Sequence, residues 1–209
     1  MRLNKTLKTV FIFLLILLVL FTNFKLYSLN FNYYQKEFTK LNVYNNIPEA
    51  DKHALNLINY MNNKEELSNF FNEQEKLHLQ DVKYLINLAF IIFYLVLILT
   101  LIFLMYFIYK KKYLIILDSL IISGLIIFLL QFVFLVTNFS SNFVLFHEIL
   151  FTNDLWLFNP GDNIVNLFPE EFFYDISLKI MLNSLIISLI FIISGLIIKF
   201  KTIKSFLNK

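Results

Sequence analysis

The sequence predicts an all-α integral membrane protein, built as a bundle of four transmembrane helices with a small extracytoplasmic cap formed by two loops. Of its 209 residues, 58% are hydrophobic and only 16% are charged, a composition typical of polytopic membrane proteins and not of soluble domains. Four apolar segments are each long enough to cross a hydrocarbon core of about 30 Å as a helix. The lack of cysteine excludes disulfides, thiolate metal sites and a cysteine nucleophile.

The first apolar segment is predicted to span the membrane at residues 10–29, after a basic cytoplasmic N-terminus at residues 1–9. A cleavable signal peptide is the alternative, because three basic residues precede the apolar run. The run ends in NFKLY at residues 23–27, which contains no small-x-small cleavage site. This ending favours an uncleaved membrane anchor.

The next segment, residues 30–84, is the first extracytoplasmic loop and is predicted to be largely helical. Apolar residues recur in it at helical intervals, which indicates two short amphipathic helices. The apolar positions are Leu55, Ile58 and Met61 in the first helix, and Leu67, Phe70 and Phe71 in the second.

Three further transmembrane segments are predicted at residues 85–109, 113–136 and 176–198. The second and third of the four transmembrane segments are separated only by three lysines at residues 110–112, so these two segments must form a tight antiparallel hairpin. The remaining parts are the second extracytoplasmic loop at residues 137–175 and the cytoplasmic tail at residues 199–209.

The distribution of charge predicts the orientation in the membrane. The N-terminus, the lysine turn and the C-terminal tail carry ten basic residues and no acidic ones, whereas residues 28–82 and 137–177 carry five lysines and fourteen acidic residues. The positive-inside rule therefore places both termini in the cytoplasm and both loops outside. Asp118 lies in the third span, six residues past Lys112. We expect it to pair with a lysine near the inner interface and to be structural.

The second loop concentrates unusual residues between Phe146 and Asp175. This stretch contains the single Trp of the chain, two of its three prolines and six carboxylates, but no Lys or Arg. The sequence NPG at residues 159–161 predicts a tight turn that folds the aromatic segment back over the bundle. In the simplest interpretation, the aromatic residues are interfacial anchors.

The first candidate for chemistry is His78, which precedes the second span. On a helix it shares one face with Glu75, Asp81 and Val82, so Asp81 could orient the His78 ring or raise its pKa. An ordinary capping or interfacial cluster is the alternative. His53, in contrast, lies in a polar stretch and is expected to be a solvated surface residue.

The second candidate is His147, in the second loop. If residues 146–156 are helical, His147 and Asp154 lie seven positions apart and face the same way. Their separation along the helix axis would then be about 10 Å, which is too long for a direct hydrogen bond. A serine mechanism through Ser140 or Ser141 has no GxSxG-like setting to support it.

Together these motifs resemble the lipoprotein intramolecular transacylase (Lit) family of low-GC Gram-positive bacteria. The resemblance rests on E-x-x-H-x-x-D-V at residues 75–82 and on FHEILFTNDLWLFNP…LFPEEFF in the second loop. It covers nearly the whole chain, with one histidine in each motif. Gln74 stands where the family would have a basic residue, and Asn159 where an Asp is more usual.

The resemblance implies an acyltransferase that moves the sn-2 acyl chain of a diacylglyceryl-cysteine lipoprotein to the α-amino group of the same cysteine, giving an N-acyl S-lyso product. It also implies a four-helix bundle capped by an outer domain, with His78 and His147 as the catalytic pair. We expect supporting roles for Glu75, Asp81 and Asp154, and a substrate cleft lined by Phe151, Trp156, Pro160, Pro169 and Phe172.

The expected partners are diacylated bacterial lipoproteins as substrate and membrane lipids, with no nucleic acid and no cofactor or metal. We expect a monomeric, multi-pass protein of the cell membrane whose active site faces outside. Two alternatives from other classes are a metal-dependent membrane hydrolase, with zinc held by the two histidines and a carboxylate, and a non-catalytic subunit or sensor whose outer loops bind a partner. HExxH is absent from the sequence, which disfavours the hydrolase.

Overall fold

The computed structural model describes residues 2–207, and the regular secondary structure in this part of the chain is α-helical, without a strand. The helices are α1 (Arg2–Tyr27), α2 (Phe31–Lys40), α3 (Val43–Asn46), α4 (Ala50–Met61), α5 (Glu73–Tyr109), α6 (Tyr113–Val136), α7 (Phe139–Leu150), α8 (Asn163–Leu167) and α9 (Glu170–Leu207). The all-α prediction is confirmed.

Four of these helices, α1, α5, α6 and α9, are long and apolar enough to cross a membrane, which confirms the four predicted spans. Two of them extend well beyond the apolar segments. α5 begins at Glu73, twelve residues before the predicted span at Leu85, and α9 begins at Glu170. The N-terminal ends of both helices are therefore polar extensions, and the extension of α5 carries His78.

One compact unit comprises Met1–Phe24, Phe90–Val136 and Ile180–Lys209. Within it, α6 and α9 approach closely at two glycines. A Cβ on Gly124 would lie 2.8 Å from the Ser188 carbonyl, and a Cβ on Gly195 would lie 2.7 Å from the Ile121 side chain. Small residues that allow backbones to approach are the usual packing device of transmembrane helices, because burial away from water does not drive helices together in lipid.

An ion-pair network in the same unit confirms the structural role predicted for Asp118. Its two carboxylate oxygens accept from Lys8 at 2.8 Å and from Lys199 at 2.7 Å. These three side chains come from α6, α1 and α9. The network therefore joins three of the four long helices, and the acidic charge is paired rather than isolated.

The second compact unit comprises Lys25–Ala89 and Thr137–Lys179. Its core is aromatic: Phe38 and Phe172 are almost completely buried and their ring centroids lie 6.0 Å apart. The predicted amphipathic helix around Ile58 is α4, but Leu55 is 44% exposed and does not belong to its buried face. The second predicted helix, at residues 67–71, is wrong, because this segment is irregular.

Candidate active site

The segment that presents His78 begins with a reciprocal cap at the start of α5. Asn72 Oδ1 accepts from the Glu75 backbone N–H at 2.9 Å, and Glu75 Oε2 accepts from the Asn72 backbone N–H at 2.7 Å. Two N–H groups that lack helical partners are satisfied in this way. The helix is thereby fixed one turn ahead of His78, whose side chain is 94% buried.

Glu75 has a further structural task. Its second oxygen, Oε1, accepts from the backbone N–H of Ile164 at 2.7 Å, in the first turn of α8. The carboxylate is fully buried, and both of its oxygens accept from backbone N–H groups. Glu75 therefore links the two loops through hydrogen bonds to their backbone N–H groups. These contacts fit a capping role, the alternative given above, and not a role in orienting His78.

His147 lies in the last turn of α7, a helix that begins with Asn138 Oδ1 accepting from the Ser141 backbone N–H at 3.0 Å. The Nδ1 atom of His147 lies 2.7 Å from the Phe143 carbonyl oxygen. Because a carbonyl can only accept, Nδ1 must carry the proton, and in the neutral ring Nε2 then holds the free lone pair. Burial lowers the pKa of His147, while the bond to Phe143 acts in the opposite direction.

The structure brings the two imidazoles together, although 69 positions separate them in the sequence. The ring centroids of His78 and His147 lie 6.1 Å apart, and the rings are inclined by 28°. The Phe151 ring contacts both, at 5.0 Å from His78 and 5.6 Å from His147. The pair therefore meets the distance that a shared acid–base site requires.

Aromatic rings surround the pair on further sides. The Trp156 indole stacks on His147 at 4.9 Å with an interplanar angle of 29°. Phe158 meets His78 edge-on at 5.4 Å, and Phe143 lies 4.4 Å from the His147 ring. Such surroundings hold little water, so they favour the neutral imidazoles over the charged ones.

The helix considered over residues 146–156 does not extend beyond Leu150, where α7 ends. Residues 151–158, which we call the strap, follow without regular helix. Asp154 lies in the strap with an exposed side chain, and its backbone carbonyl accepts from the Leu157 N–H at 3.1 Å. Asp154 and His147 consequently do not share a helix face. Asp81 binds the strap instead, as its carboxylate accepts from Asn153 Nδ2 at 3.0 Å.

The turn predicted at residues 159–161 is present. The Asp162 N–H donates to the Asn159 carbonyl at 3.0 Å, and Asp162 Oδ2 accepts from the Asn159 N–H at 2.6 Å. Pro160 and Gly161 are exposed, Gly161 does not have a positive φ, and a Cβ built there meets no atom within 4 Å. The turn thus needs the aspartate more than the glycine.

The residues expected to line the substrate cleft do not all lie beside the histidines. Phe151 and Trp156 contact the histidines, whereas Phe172 is 2% exposed in the aromatic core with Tyr34 and Phe168. Pro169 immediately precedes α9, and its carbonyl accepts from the Phe172 N–H at 2.9 Å.

Two residues that contact the site or hold the strap were not singled out from the sequence, Phe143 and Asn153, and Gln74 was noted only as a departure from the family pattern. The position of Phe143, four residues before His147 on a helix, was an available signal, because i−4 carbonyls are the usual partners of a helical side chain. Asn153 offered no such signal, and nothing in the sequence related Gln74 to residues 151–158. Their partners lie 72 to 83 positions away.

A metal centre finds no support in the side-chain arrangement. Within residues 2–207, no three His, Asp or Glu side chains converge as metal ligands would. The two carboxylates nearest His78 along the chain are engaged elsewhere, Glu75 with two backbone N–H groups and Asp81 with Asn153.

Comparisons with known proteins agree with this architecture. The family model "Lipoprotein intramolecular transacylase Lit" matches residues 8–173. In a comparison of folds, the in meso structure of the membrane integral lipoprotein intramolecular transacylase Lit from Bacillus cereus superimposes with a TM-score of 0.82, at 22% identity, over 97% of this chain and 99% of that chain. A variant of that protein with one histidine replaced gives a TM-score of 0.76, also at 22% identity, over 98% and 95% of the two chains.

A curated relative matches over a shorter part of the chain. An uncharacterised protein of Aquifex aeolicus is 25% identical over 127 residues, which are 61% of this chain and 57% of the relative. The match therefore spans little more than half of the length of that relative.

Proposed function

This chain belongs to the lipoprotein intramolecular transacylase family, and we propose that it transfers an acyl chain within one lipoprotein molecule. The sn-2 acyl group of a diacylglyceryl-cysteine passes to the α-amino group of the same cysteine. An amide C–N bond forms and the ester C–O bond breaks. The proton released by the amine ends on the glyceryl oxygen, so the reaction needs no further reactant.

The observation that supports this proposal is the pair of buried imidazoles, whose ring centroids lie 6.1 Å apart. An α-amine has a pKa of about 7.7–8.0, so a base must take its proton as it attacks the ester carbonyl. The departing glyceryl oxygen must in turn receive a proton. Two histidines separated by roughly the size of the reacting groups supply both functions.

We assign the base to His147. Its Nδ1–H is held by the Phe143 carbonyl, which leaves Nε2 as the only ring atom able to accept the proton of the amine. His78 then receives that proton from His147 and passes it to the glyceryl oxygen, so that both imidazoles end neutral. Its buried Nδ1 has no hydrogen-bond partner, so no protein group prescribes its tautomer and either ring nitrogen can carry the proton.

Proximity is expected to supply much of the acceleration. The nucleophile and the ester belong to the same molecule, so the site has to orient them and exclude water rather than bring two molecules together. The aromatic rings that contact both histidines suit the exclusion of water. A covalent acyl-enzyme is unnecessary in this scheme.

The proposed place of reaction is the outer face of the cell membrane. Four helices able to span a membrane make the chain a multi-pass membrane protein, and the charge asymmetry supports the orientation with both loops outside. The histidines lie in those two loops, where a lipoprotein substrate can reach them with its acyl chains still in lipid.

Mass spectrometry of a lipoprotein N-terminal peptide tests the proposal. Membranes containing the chain should yield the N-acyl S-lyso form, and His78→Gln and His147→Gln should each abolish it. The double variant should be hardly worse than either single one, because residues that act as a unit are not additive. His53→Gln is the matched control, since His53 stacks on Phe70 at 3.7 Å in the same unit. Retained product in either single variant, at normal membrane levels, would refute the assignment.

A further inference from the structure

The strap carries three of the rings that contact the histidines, and beyond the Phe151 N–H, which donates to the His147 carbonyl at 2.9 Å, it lies outside regular helix. Two side chains of α5 hold it instead. Gln74 Nε2 donates to the Leu155 carbonyl at 3.2 Å and to the Leu157 carbonyl at 3.0 Å. Asp81 accepts from Asn153 at 3.0 Å. The strap is therefore fastened at three of its eight positions by side chains from one helix.

The two fastening side chains flank His78 on the helix. Gln74 lies four residues before His78 and Asp81 lies three residues after it, so all three project from the same face about one turn apart. The strap consequently runs alongside His78 between two anchor points. At the Gln74 end, the two accepting carbonyls belong to the residues on either side of Trp156.

We propose that Gln74 is a positioning residue of the acyl-transfer site, acting through the strap to hold Trp156 against His147. This role rests on the proposed function of the histidine pair. A bridge to both neighbouring carbonyls fixes the Leu155–Trp156 peptide unit and the Leu157–Phe158 peptide unit, on either side of the Trp156 residue. The indole is thus kept stacked on His147 at 4.9 Å, and the His147 ring is confined between the indole and Phe143 with its Nε2 in one direction.

The chemistry of the anchor is donation. A carboxamide nitrogen has two N–H donors, and the two carbonyls can only accept. Gln74→Glu has nearly the same shape, but its carboxylate has no donor and repels both carbonyl oxygens. Gln74→Arg differs in shape and charge yet offers several N–H donors on a planar group. The inference therefore predicts loss with Glu and retention with Arg, a ranking opposite to the one expected from size alone.

Intrinsic fluorescence gives a readout that a purely structural residue would not change. Trp156 is the only tryptophan, and a charged imidazole stacked on an indole quenches its emission. The unmodified chain in detergent should therefore show a pH-dependent step in emission that disappears in His147→Gln. The step should persist in His78→Gln, which removes the other imidazole of the pair, 6.1 Å from the His147 ring.

The experiment compares Gln74→Glu, Gln74→Arg and the control Gln80→Glu, which makes the same change at an exposed position of α5. Gln74→Glu should lose the emission step and lower kcat about tenfold with little change in KM, as expected when two hydrogen bonds are lost. Gln74→Arg and Gln80→Glu should keep both the step and the rate.

The outcomes separate this inference from the proposed function. An unchanged emission step in Gln74→Glu, or an altered step with an unchanged kcat, would overturn the positioning role. Loss in Gln74→Arg equal to that in Gln74→Glu would overturn the donor argument. If the unmodified chain formed no N-acyl product while its emission step still depended on Gln74, the proposed function would fail. The role of Gln74 in holding Trp156 against His147 would still stand.

Discussion

The replacement Glu75→Gln separates a structural carboxylate from a catalytic one. Glu75 is fully buried, and its two oxygens accept from the backbone N–H groups of Asn72 and Ile164 at 2.7 Å each. Glutamine has the same shape but only one acceptor oxygen. Its amide NH₂ must therefore face one of the two N–H groups, and that buried donor is left without a partner.

The magnitude follows from these contacts. A buried polar group left unsatisfied costs about 1–3 kcal/mol, and hydrogen bonds to a charged acceptor are stronger than neutral ones. We expect Glu75→Gln to destabilise the unit by about 2 kcal/mol or slightly more. Since about 1.4 kcal/mol is a factor of ten in an equilibrium constant, the opened form of the unit should become roughly 30-fold more populated.

Proteolysis under native conditions in detergent measures this population, because cleavage follows the open form when reclosing is fast. The control is Glu73→Gln, in the same turn of α5, whose side chain is 89% exposed and pairs only with Lys76. We expect no more than a twofold change for this control, because exposed ion pairs contribute little. Equal cleavage rates for Glu75→Gln and the unmodified chain would refute the capping role. Lost transacylation with unchanged cleavage would make Glu75 a group of the reaction instead.

Three further predictions concern pH, metal and topology. Burial lowers the pKa of His147, so the folded chain binds this proton less readily than the unfolded chain does. The free energy of unfolding is therefore highest above the unfolded pKa of about 6.5 and decreases as the pH falls below it. Thermal unfolding between about pH 5 and 7.5 should accordingly depend on pH less in His147→Gln than in the unmodified chain. Transacylation should persist in EDTA, and loss that zinc restores would favour the metal-dependent hydrolase instead. The chain contains no cysteine, so single cysteines can report topology: at Lys64 or Gly161 they should react with an impermeant maleimide in intact cells, and at Lys110 they should not. The reverse labelling pattern would overturn the outer-face site.

Much of the fold was predictable because the length and composition of a segment are properties of the chain itself. About twenty apolar residues can cross a membrane whatever they pack against, and the four spans were found on that basis. The pairing of Asp118 with lysines was also predictable, since an acidic group in a span near basic residues has few other solutions. A helix around His78 was considered, but hydropathy did not show that it continues into the second span as α5, or that α9 begins before the fourth span, because hydropathy marks where a membrane segment ends and not where its helix ends.

The histidines illustrate the limit of the sequence for the site. Motifs identified His78 and His147 as candidates, but periodicity relates residues on one helix only, and these two lie on different helices. Their separation of 6.1 Å depends on how α5 and α7 pack within one unit. Asp154 was misplaced for the same reason, because nothing local announced that α7 would end at Leu150.

By itself, the sequence determined an all-helical membrane protein with four spans and two histidine motifs, since apolar length and helical spacing are encoded locally. Only the tertiary structure decided that Glu75 is a cap, that Phe172 belongs to the core and that Trp156 lies on His147. The reason is that an irregular segment has no internal pattern of hydrogen bonds to predict from. The course of the strap is set by bonds to Gln74 and Asp81, whose partners lie 72 to 83 positions away in the chain.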